Sequence, residues 1–187
     1  MSATAAAAQA LLTVDVQRGW VSGSHAVEGA KELLDRLGDG LSAARDAGAL
    51  VIHVQDIGDA DSSVPSGSFG RELALPVLPG EVILPKTVDD AFVETGLEQL
   101  LRTSGIQALV IGGLQSEMCV AATARGALAR GFTLLLPRDL HATRDIPADS
   151  PNPRVPAAQV RRVAEWALGD EVVVLSSIAD VTFEAAG

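Results

Sequence analysis

The sequence predicts a three-layer α/β fold, in which helices cover both faces of a doubly wound, mostly parallel six-stranded sheet. Six short apolar runs alternate with helical patterns along the chain. Strands that alternate with helices form parallel sheets covered on both faces, and right-handed crossovers make such sheets doubly wound. No internal repeat or linker interrupts the pattern, so residues 1–187 are expected to form a single domain.

The first half of the chain carries three of the six predicted strands and one long helix. The strands are predicted over residues 10–15, 49–54 and 81–84. Apolar side chains at helical spacing predict a helix over residues 28–47, and Gly48 ends it. Residues 57–70 are rich in Gly, Ser, Asp and Pro and form a long predicted loop. Long loops in compact domains are often functional.

The second half of the chain carries the other three strands, at residues 108–111, 132–136 and 171–175. Three helices are predicted over residues 95–105, 116–130 and 156–168. Thr95 and Glu98 have the spacing of a capping box, and Ser116 is the predicted N-cap of the second of these helices. Residues 140–155 are polar and proline-rich and are predicted to be a loop.

The composition of the chain argues against several classes of function. Hydrophobic residues make up 48% of the chain, as in a folded globular protein. The formal net charge of −10 leaves no basic patch for nucleic acid or an anionic membrane, and mildly favours a cationic substrate. No apolar run is long enough to span a bilayer. A single cysteine and a poor secretory signal in residues 1–10 predict a cytoplasmic location.

Three chemically capable residues lie at predicted strand ends. Asp15 ends the first strand, Lys86 follows the third, and Cys119 comes shortly after the fourth. In doubly wound sheets, ligands bind beyond the carboxyl ends of the strands, so the three side chains can converge on one crevice. Each has a simpler explanation as well: a turn-capping aspartate, a surface lysine and a small buried cysteine.

Cys119 has the clearest chemical rationale of the three. Gly112 and Gly113 are expected to let the chain turn sharply after the strand, and Ser116 as N-cap places Cys119 in the first helical turn. The free N–H groups and the helix dipole there favour a thiolate and can hold an oxyanion. In this interpretation Asp15 accepts the thiol proton and Lys86 stabilises the thiolate.

The histidines and glycines do not indicate a cofactor. His25, His53 and His141 lack the spacing of metal ligands, and no second cysteine is present for a zinc site. His53 is expected to be a hydrogen-bonded core residue, whereas His141 can line the crevice or lie on the surface. Two adjacent glycines at 112–113 do not match a dinucleotide or phosphate motif. No metal and no other cofactor is therefore predicted.

Three blocks of the sequence resemble the isochorismatase-like cysteine hydrolases, a family that includes nicotinamidase and N-carbamoylsarcosine amidase. The blocks are LLTVDVQ at 11–17, LPKTVDDAF at 84–92 and IGGLQSEMCVAATAR at 111–125. The third block is the most specific, and all three occur in the family's order. The resemblance covers residues 11–174, nearly the whole chain, and implies the same six-stranded fold.

The resemblance also implies a mechanism. Asp15 would be the proton acceptor, Lys86 the electrostatic support and Cys119 the nucleophile that forms a thioester and expels an amine. A non-proline cis peptide at Leu114–Gln115 would aim backbone N–H groups at the oxyanion. The expected assembly is a homodimer or higher homo-oligomer, in which a neighbouring subunit can contribute to the active site.

Two departures from the family pattern narrow the expected reaction. Nicotinamidases carry metal-binding histidines after the second strand, but no histidine follows Asp56 here, which argues against a metal and against nicotinamidase activity. Isochorismatases that cleave an enol ether lack the nucleophilic cysteine. Cys119 therefore favours metal-independent hydrolysis of a C–N bond, in an amide, carbamoyl group or lactam.

The small-molecule substrate itself cannot be deduced from the sequence. Candidate pocket residues are Gln17, Trp20, Phe69, Met118 and His141. Two alternatives stay open at this point. One is a vinyl-ether hydrolase of the isochorismatase type in which Cys119 is incidental, and the other is a non-catalytic small-molecule binding or assembly protein.

Overall fold

The computed structural model describes residues 7–58 and 69–187; residues 1–6 and the centre of the predicted loop, 59–68, lie outside the described part. The described strands are β1 (Ala10–Val14), β2 (Leu50–Asp56), β3 (Val82–Lys86), β4 (Ala108–Leu114), β5 (Thr133–Pro137), β6 (His141–Ala142) and β7 (Val173–Leu175). The helices are α1 (Arg18–Val21), α2 (Ala30–Asp46), α3 (Leu97–Thr103), α4 (Ala121–Ala129) and α5 (Ala157–Trp166).

These strands form one sheet in the order β3-β2-β1-β4-β5-β7, and every ladder in it is parallel. The predicted α/β class is confirmed. The sheet has a seventh member, however, because the two-residue strand β6 pairs with the end of β4 inside the segment predicted to be a loop. Polar and proline-rich sequence surrounds β6, so periodicity carries no signal for so short a strand.

Side chains along each strand point alternately to the two faces of the sheet, so a hydrophobic core forms on each face. Leu12 on β1 faces one layer and contributes to a core with Leu97 on α3 and Ala124 on α4. Its neighbour Leu11 points the other way and joins the core with Leu37 on α2. Successive strand side chains point to opposite faces, so both faces of β1 are buried and the strand reads as a continuous apolar run.

Two predicted local features differ from the structure. The capping box is absent, because Gly96 precedes α3 as its N-cap and Glu98 instead pairs with Arg130 at 3.0 Å. The two glycines do not turn the chain. Strand β4 runs through both of them to Leu114, and their lack of a side chain serves close packing.

Gly113 marks the closest approach between β4 and β1. Its φ is +125°, and a Cβ added there would lie 2.0 Å from the carbonyl oxygen of Val14. Only glycine fits this position without moving one strand away from the other. The end of β4 is thereby held directly beside the end of β1.

Among residues 7–58 and 69–187, no helix is both long enough and apolar enough to cross a bilayer.

Gly113→Ala should destabilise the fold by about 3 kcal/mol or more, because it combines a disfavoured φ with overpacking against β1. Gly38→Ala is the matched control: Gly38 lies in α2 with open space around its Cα, and alanine there should be neutral or stabilise by up to about 1 kcal/mol. Urea unfolding of both variants measures the difference. Equal stability of the two variants would contradict the close approach of β4 to β1.

Candidate active site

A pocket of about 380 Å³ opens at the carboxyl end of the sheet. It is lined by Asp15, Trp20, Asp56, Gly58, Thr87, Asp89, Leu114, Gln115, Met118 and Cys119. The ends of β1, β2 and β4 contribute to its wall, which is where doubly wound sheets place their ligands.

Three strand ends position the predicted polar residues. Asp15 directly follows β1 and has a φ of 53°, a left-handed conformation that aspartate tolerates better than most residues. Strand β3 extends two residues further than predicted, so Lys86 is its last residue rather than the residue after it. The predicted strand ended before Pro85. Proline is acceptable within β3, however, because β3 lies at the edge of the sheet.

The side chains of Asp15, Lys86 and Cys119 meet at the base of the pocket. Lys86 Nζ lies 2.9 Å from Asp15 Oδ2 and donates a hydrogen bond to Cys119 Sγ at 3.3 Å. The Lys86 side chain is fully buried, and that of Asp15 is 5% exposed. Charged groups buried away from water need an opposite charge nearby, and Asp15 and Lys86 provide this charge for each other.

Burial and the ion pair shift the pKa values of both charged groups. Burial raises the pKa of Asp15 to about 6, against the opposing effect of Lys86. Burial alone would lower the pKa of Lys86, but the carboxylate of Asp15 and the nearby Cys119 sulfur outweigh it and keep the pKa above its ordinary value. The Asp15 carboxyl group can therefore exchange a proton near neutral pH, while Lys86 stays charged.

The surroundings of Cys119 oppose the expected thiolate. Burial first, and the Asp15 carboxylate second, raise the pKa of the Cys119 thiol well above its usual range, although Lys86 acts in the opposite direction. Asp15 Oδ1 is buried and has no hydrogen-bond partner within the part of the chain that the structure describes. The resting site therefore holds a thiol beside an available carboxylate oxygen.

The turn that carries Cys119 is kinked, and its predicted N-cap has another partner. Residues Ser116–Val120 form a wide turn that is interrupted at Met118, where φ is −107° and ψ is −108°, and α4 begins only after it. The hydroxyl of Ser116 does not cap the helix but pairs with His141 Nδ1 at 2.8 Å. Met118 is the only residue of this turn outside the helical region, so Cys119 lies at the very start of the helix that continues into α4.

The peptide bond between Leu114 and Gln115 is cis, as the family resemblance implied. Both residues line the pocket beside Cys119. The role of their backbone N–H groups toward an oxyanion stays a prediction.

Trp20 and Met118 line the pocket, whereas three other predicted pocket residues do not. Gln17 is buried, and its side-chain amide binds the backbone of Asp56 and of Arg71, so it supports the pocket wall from behind. His141 is buried against Ser116 and Glu165. Phe69 is 63% exposed, with the Arg18 guanidinium stacked over its ring, and its predicted contact with a ligand stays a prediction.

Four pocket residues were not predicted from the sequence: Asp56, Gly58, Thr87 and Asp89. Asp89 is the most important, because its Oδ1 lies 3.5 Å from Cys119 Sγ. A signal was available, since Asp56 and Thr87 lie at or just beyond the true ends of β2 and β3. The predicted strands ended two residues too early to reveal it.

The described residues contain no cluster of three or more His, Cys, Asp or Glu side chains that could hold a metal ion. His53, the histidine nearest to the end of β2, is fully buried and hydrogen-bonded to Thr13 Oγ1 at 2.9 Å and Glu81 Oε2 at 3.1 Å. It is a core residue, as expected, and points away from the pocket-lining set.

Known proteins resemble this chain over most of its length. The isochorismatase domain family matches residues 9–151. The chain is 50% identical to streptothricin hydrolase from Streptomyces noursei, over its whole length and 77% of that protein. It is 28% identical to maleamate amidohydrolase from Pseudomonas putida, over 70% of each chain. A solved isochorismatase structure from Pseudomonas putida has a TM-score of 0.80 at 30% identity, covering 92% of this chain and 90% of that one.

The fold and these relatives define a cysteine hydrolase that acts on carbon–nitrogen bonds. The chain belongs to the isochorismatase family. The earlier resemblance, based on three short blocks, is confirmed at the level of the family and of the fold.

Asp15→Asn should accelerate alkylation of Cys119 by iodoacetamide near neutral pH, by about tenfold for each unit by which the thiol pKa falls. The reason is that the Asp15 carboxylate raises the thiol pKa, and asparagine removes the charge. Lys86→Met should act in the opposite direction. The exposed Asp35→Asn, in the Lys31 pair on α2, is the control and should change nothing. A wild-type thiol that alkylates like a strongly acidic cysteine would refute this electrostatic description.

Proposed function

We propose that this protein hydrolyses an amide-type C–N bond in a small molecule, with Cys119 as nucleophile, Asp15 as proton acceptor and Lys86 as electrostatic support. A single observation carries the proposal: at the base of an open pocket, a buried Asp15–Lys86 ion pair contacts the sulfur of the cysteine. The carboxylate can accept the thiol proton and the cation can stabilise the negative sulfur, so these groups can form a nucleophile during the reaction.

The first chemical step is acylation of the cysteine. As Sγ attacks the carbonyl carbon, the thiol proton moves to Asp15, whose pKa of about 6 leaves it mostly ionised at neutral pH. Lys86 stabilises the negative charge on sulfur during the transfer. Asp15 then returns the proton to the departing nitrogen, so the amine leaves neutral and a thioester stays on Cys119.

The developing oxyanion needs donors on the opposite side of the carbonyl group. The cis peptide at Leu114–Gln115 lies in the pocket wall next to the nucleophile, which suits it to offer backbone N–H groups to that oxygen. Trp20 and Met118 supply apolar surface for the body of the substrate.

The charge of the pocket points to the kind of substrate. Asp15, Asp56 and Asp89 line it, and Lys86 is the cation paired with the first of them. A neutral or cationic substrate therefore suits the site better than an anionic one. Streptothricin is the first compound to test, because a relative 50% identical to this chain carries the name streptothricin hydrolase.

The reaction is proposed to need no metal. Residues 57–68 contain no histidine, and Asp56 Oδ1 accepts a hydrogen bond from Gly58 N at 2.8 Å. Hydrolysis by a thiol requires no Lewis acid, because the ion pair and the oxyanion donors provide the electrostatic stabilisation.

We also propose a homo-oligomer that works in the cytoplasm. Helix α5 supports the assembly, since Val163 is 62% exposed and Trp166 is 74% exposed on the same short helix. Apolar side chains concentrated in one place commonly mark an interface. The single cysteine of the sequence supports a reducing compartment.

Cys119→Ala should abolish hydrolysis of streptothricin, because the nucleophile is lost, and leave the fold intact, because the substitution is small. Product formation is followed by mass spectrometry, with circular dichroism as the check on folding. Ser24→Ala, an exposed position in the turn that follows α1, serves as the control. Streptothricin hydrolysis retained by the alanine variant refutes Cys119 as nucleophile, and isochorismate turnover that survives the same change would favour the vinyl-ether hydrolase.

Exhaustive chelation should leave the hydrolase activity unchanged, since the proposed chemistry uses the protein's own groups. Activity is compared before and after dialysis against EDTA and an iron chelator, with metal content measured in parallel. Loss of activity that returns on adding zinc or iron would show that residues near the end of β2 form a metal site.

A further inference from the structure

Asp89 is a second carboxylate at the reacting sulfur. Its Oδ1 accepts a hydrogen bond from Cys119 Sγ at 3.5 Å. Asp15 and Asp89 both line the pocket, yet their environments differ: the Asp15 side chain is 5% exposed and bound to Lys86, whereas Asp89 is exposed to solvent. Two carboxylates in different environments at one nucleophile suit two different proton transfers.

The backbone of Asp89 is firmly held in place. Thr123, a fully buried residue of α4, donates from Oγ1 to the Asp89 carbonyl oxygen at 3.3 Å and accepts from Ala91 N at 3.1 Å. Thr123 follows Cys119 by four residues, so the same segment carries the nucleophile and the anchor. A side chain on such a support can keep a defined position at the sulfur.

We propose that Asp89 is the general base of deacylation, the catalytic residue that activates water against the Cys119 thioester. This proposal rests on the proposed function above. Departure of the amine leaves space in the pocket, and water enters from the open side, where Asp89 lies. The acyl carbon is one bond from Sγ, so an oxygen 3.5 Å from that sulfur is within reach of a water attacking the acyl carbon.

Every proton is accounted for when Asp15 acts in acylation and Asp89 acts in deacylation. The amine has left with the original thiol proton, so Asp15 and Asp89 are both ionised in the acyl-enzyme. Water loses a proton to Asp89, its oxygen bonds to the acyl carbon, and the C–S electron pair returns to Sγ beside Lys86. Asp89 then passes its proton to the sulfur 3.5 Å away, which restores the thiol, and the acid product leaves.

The test uses para-nitrophenyl acetate, which acylates thiols and separates the two half-reactions. The burst of para-nitrophenolate reports acylation, and the steady-state rate reports deacylation. Asp89→Asn should keep the burst rate and amplitude but slow deacylation about 100-fold, the usual contribution of a general base. Acetylated Cys119 should accumulate in the mass spectrum of this variant.

Two comparisons make the result specific. Hydroxylamine, a strong nucleophile that depends less on a general base, should restore deacylation in Asp89→Asn by a larger factor than in the wild type. Asp170→Asn, an exposed carboxylate in the segment before β7, is the matched control and should behave as the wild type.

The outcomes separate this proposal from the proposed function. Equal deacylation rates in Asp89→Asn and wild type overturn the role of Asp89 but leave Cys119 as nucleophile. A burst that slows as much as deacylation would also overturn this role of Asp89, because Asp89 would then act in acylation. Hydrolysis of para-nitrophenyl acetate at the wild-type rate by Cys119→Ala would overturn the proposed function itself.

Discussion

The buried ion pair between Asp15 and Lys86 is the interaction on which the rest of the site depends. Its two groups come from β1 and β3, which are not neighbours, because β2 lies between them. Breaking a buried pair by removing one partner leaves an uncompensated charge, which costs about 3–5 kcal/mol. The pair therefore fixes the relative position of two strand ends and, through the Lys86 hydrogen bond, the direction of the Cys119 thiol.

The electrostatics of this pair decide how the thiol can react. A strongly acidic cysteine would be ionised at rest, but here burial and Asp15 keep the proton on sulfur. Asp15, with its pKa raised to about 6, is the group closest to exchanging a proton at physiological pH. In the proposed mechanism the nucleophile is therefore formed during the reaction, which protects the thiol from adventitious oxidation and alkylation between turnovers.

The sequence predicts the backbone of this site better than its side-chain directions. Asp15, Lys86 and Cys119 could be predicted because parallel strands bring their carboxyl ends to one edge, which depends only on the alternation of strands and helices. Gln17 and His141 were candidate pocket residues, but both side chains are buried: the Gln17 amide donates to backbone carbonyls, and His141 Nδ1 pairs with Ser116. The spacing of residues in the sequence does not decide the direction of either side chain, because that direction depends on partners that are distant in the sequence.

An acidic pocket also fits the direction of the proposed reaction. Hydrolysis of an amide turns a neutral group into an acid and an amine, and the acid ionises once it is in water. Asp56 and Asp89 line the open part of the pocket and repel a carboxylate product, whereas they attract the amine as it becomes protonated. This repulsion of the carboxylate favours release of the acid over its return to the thiol.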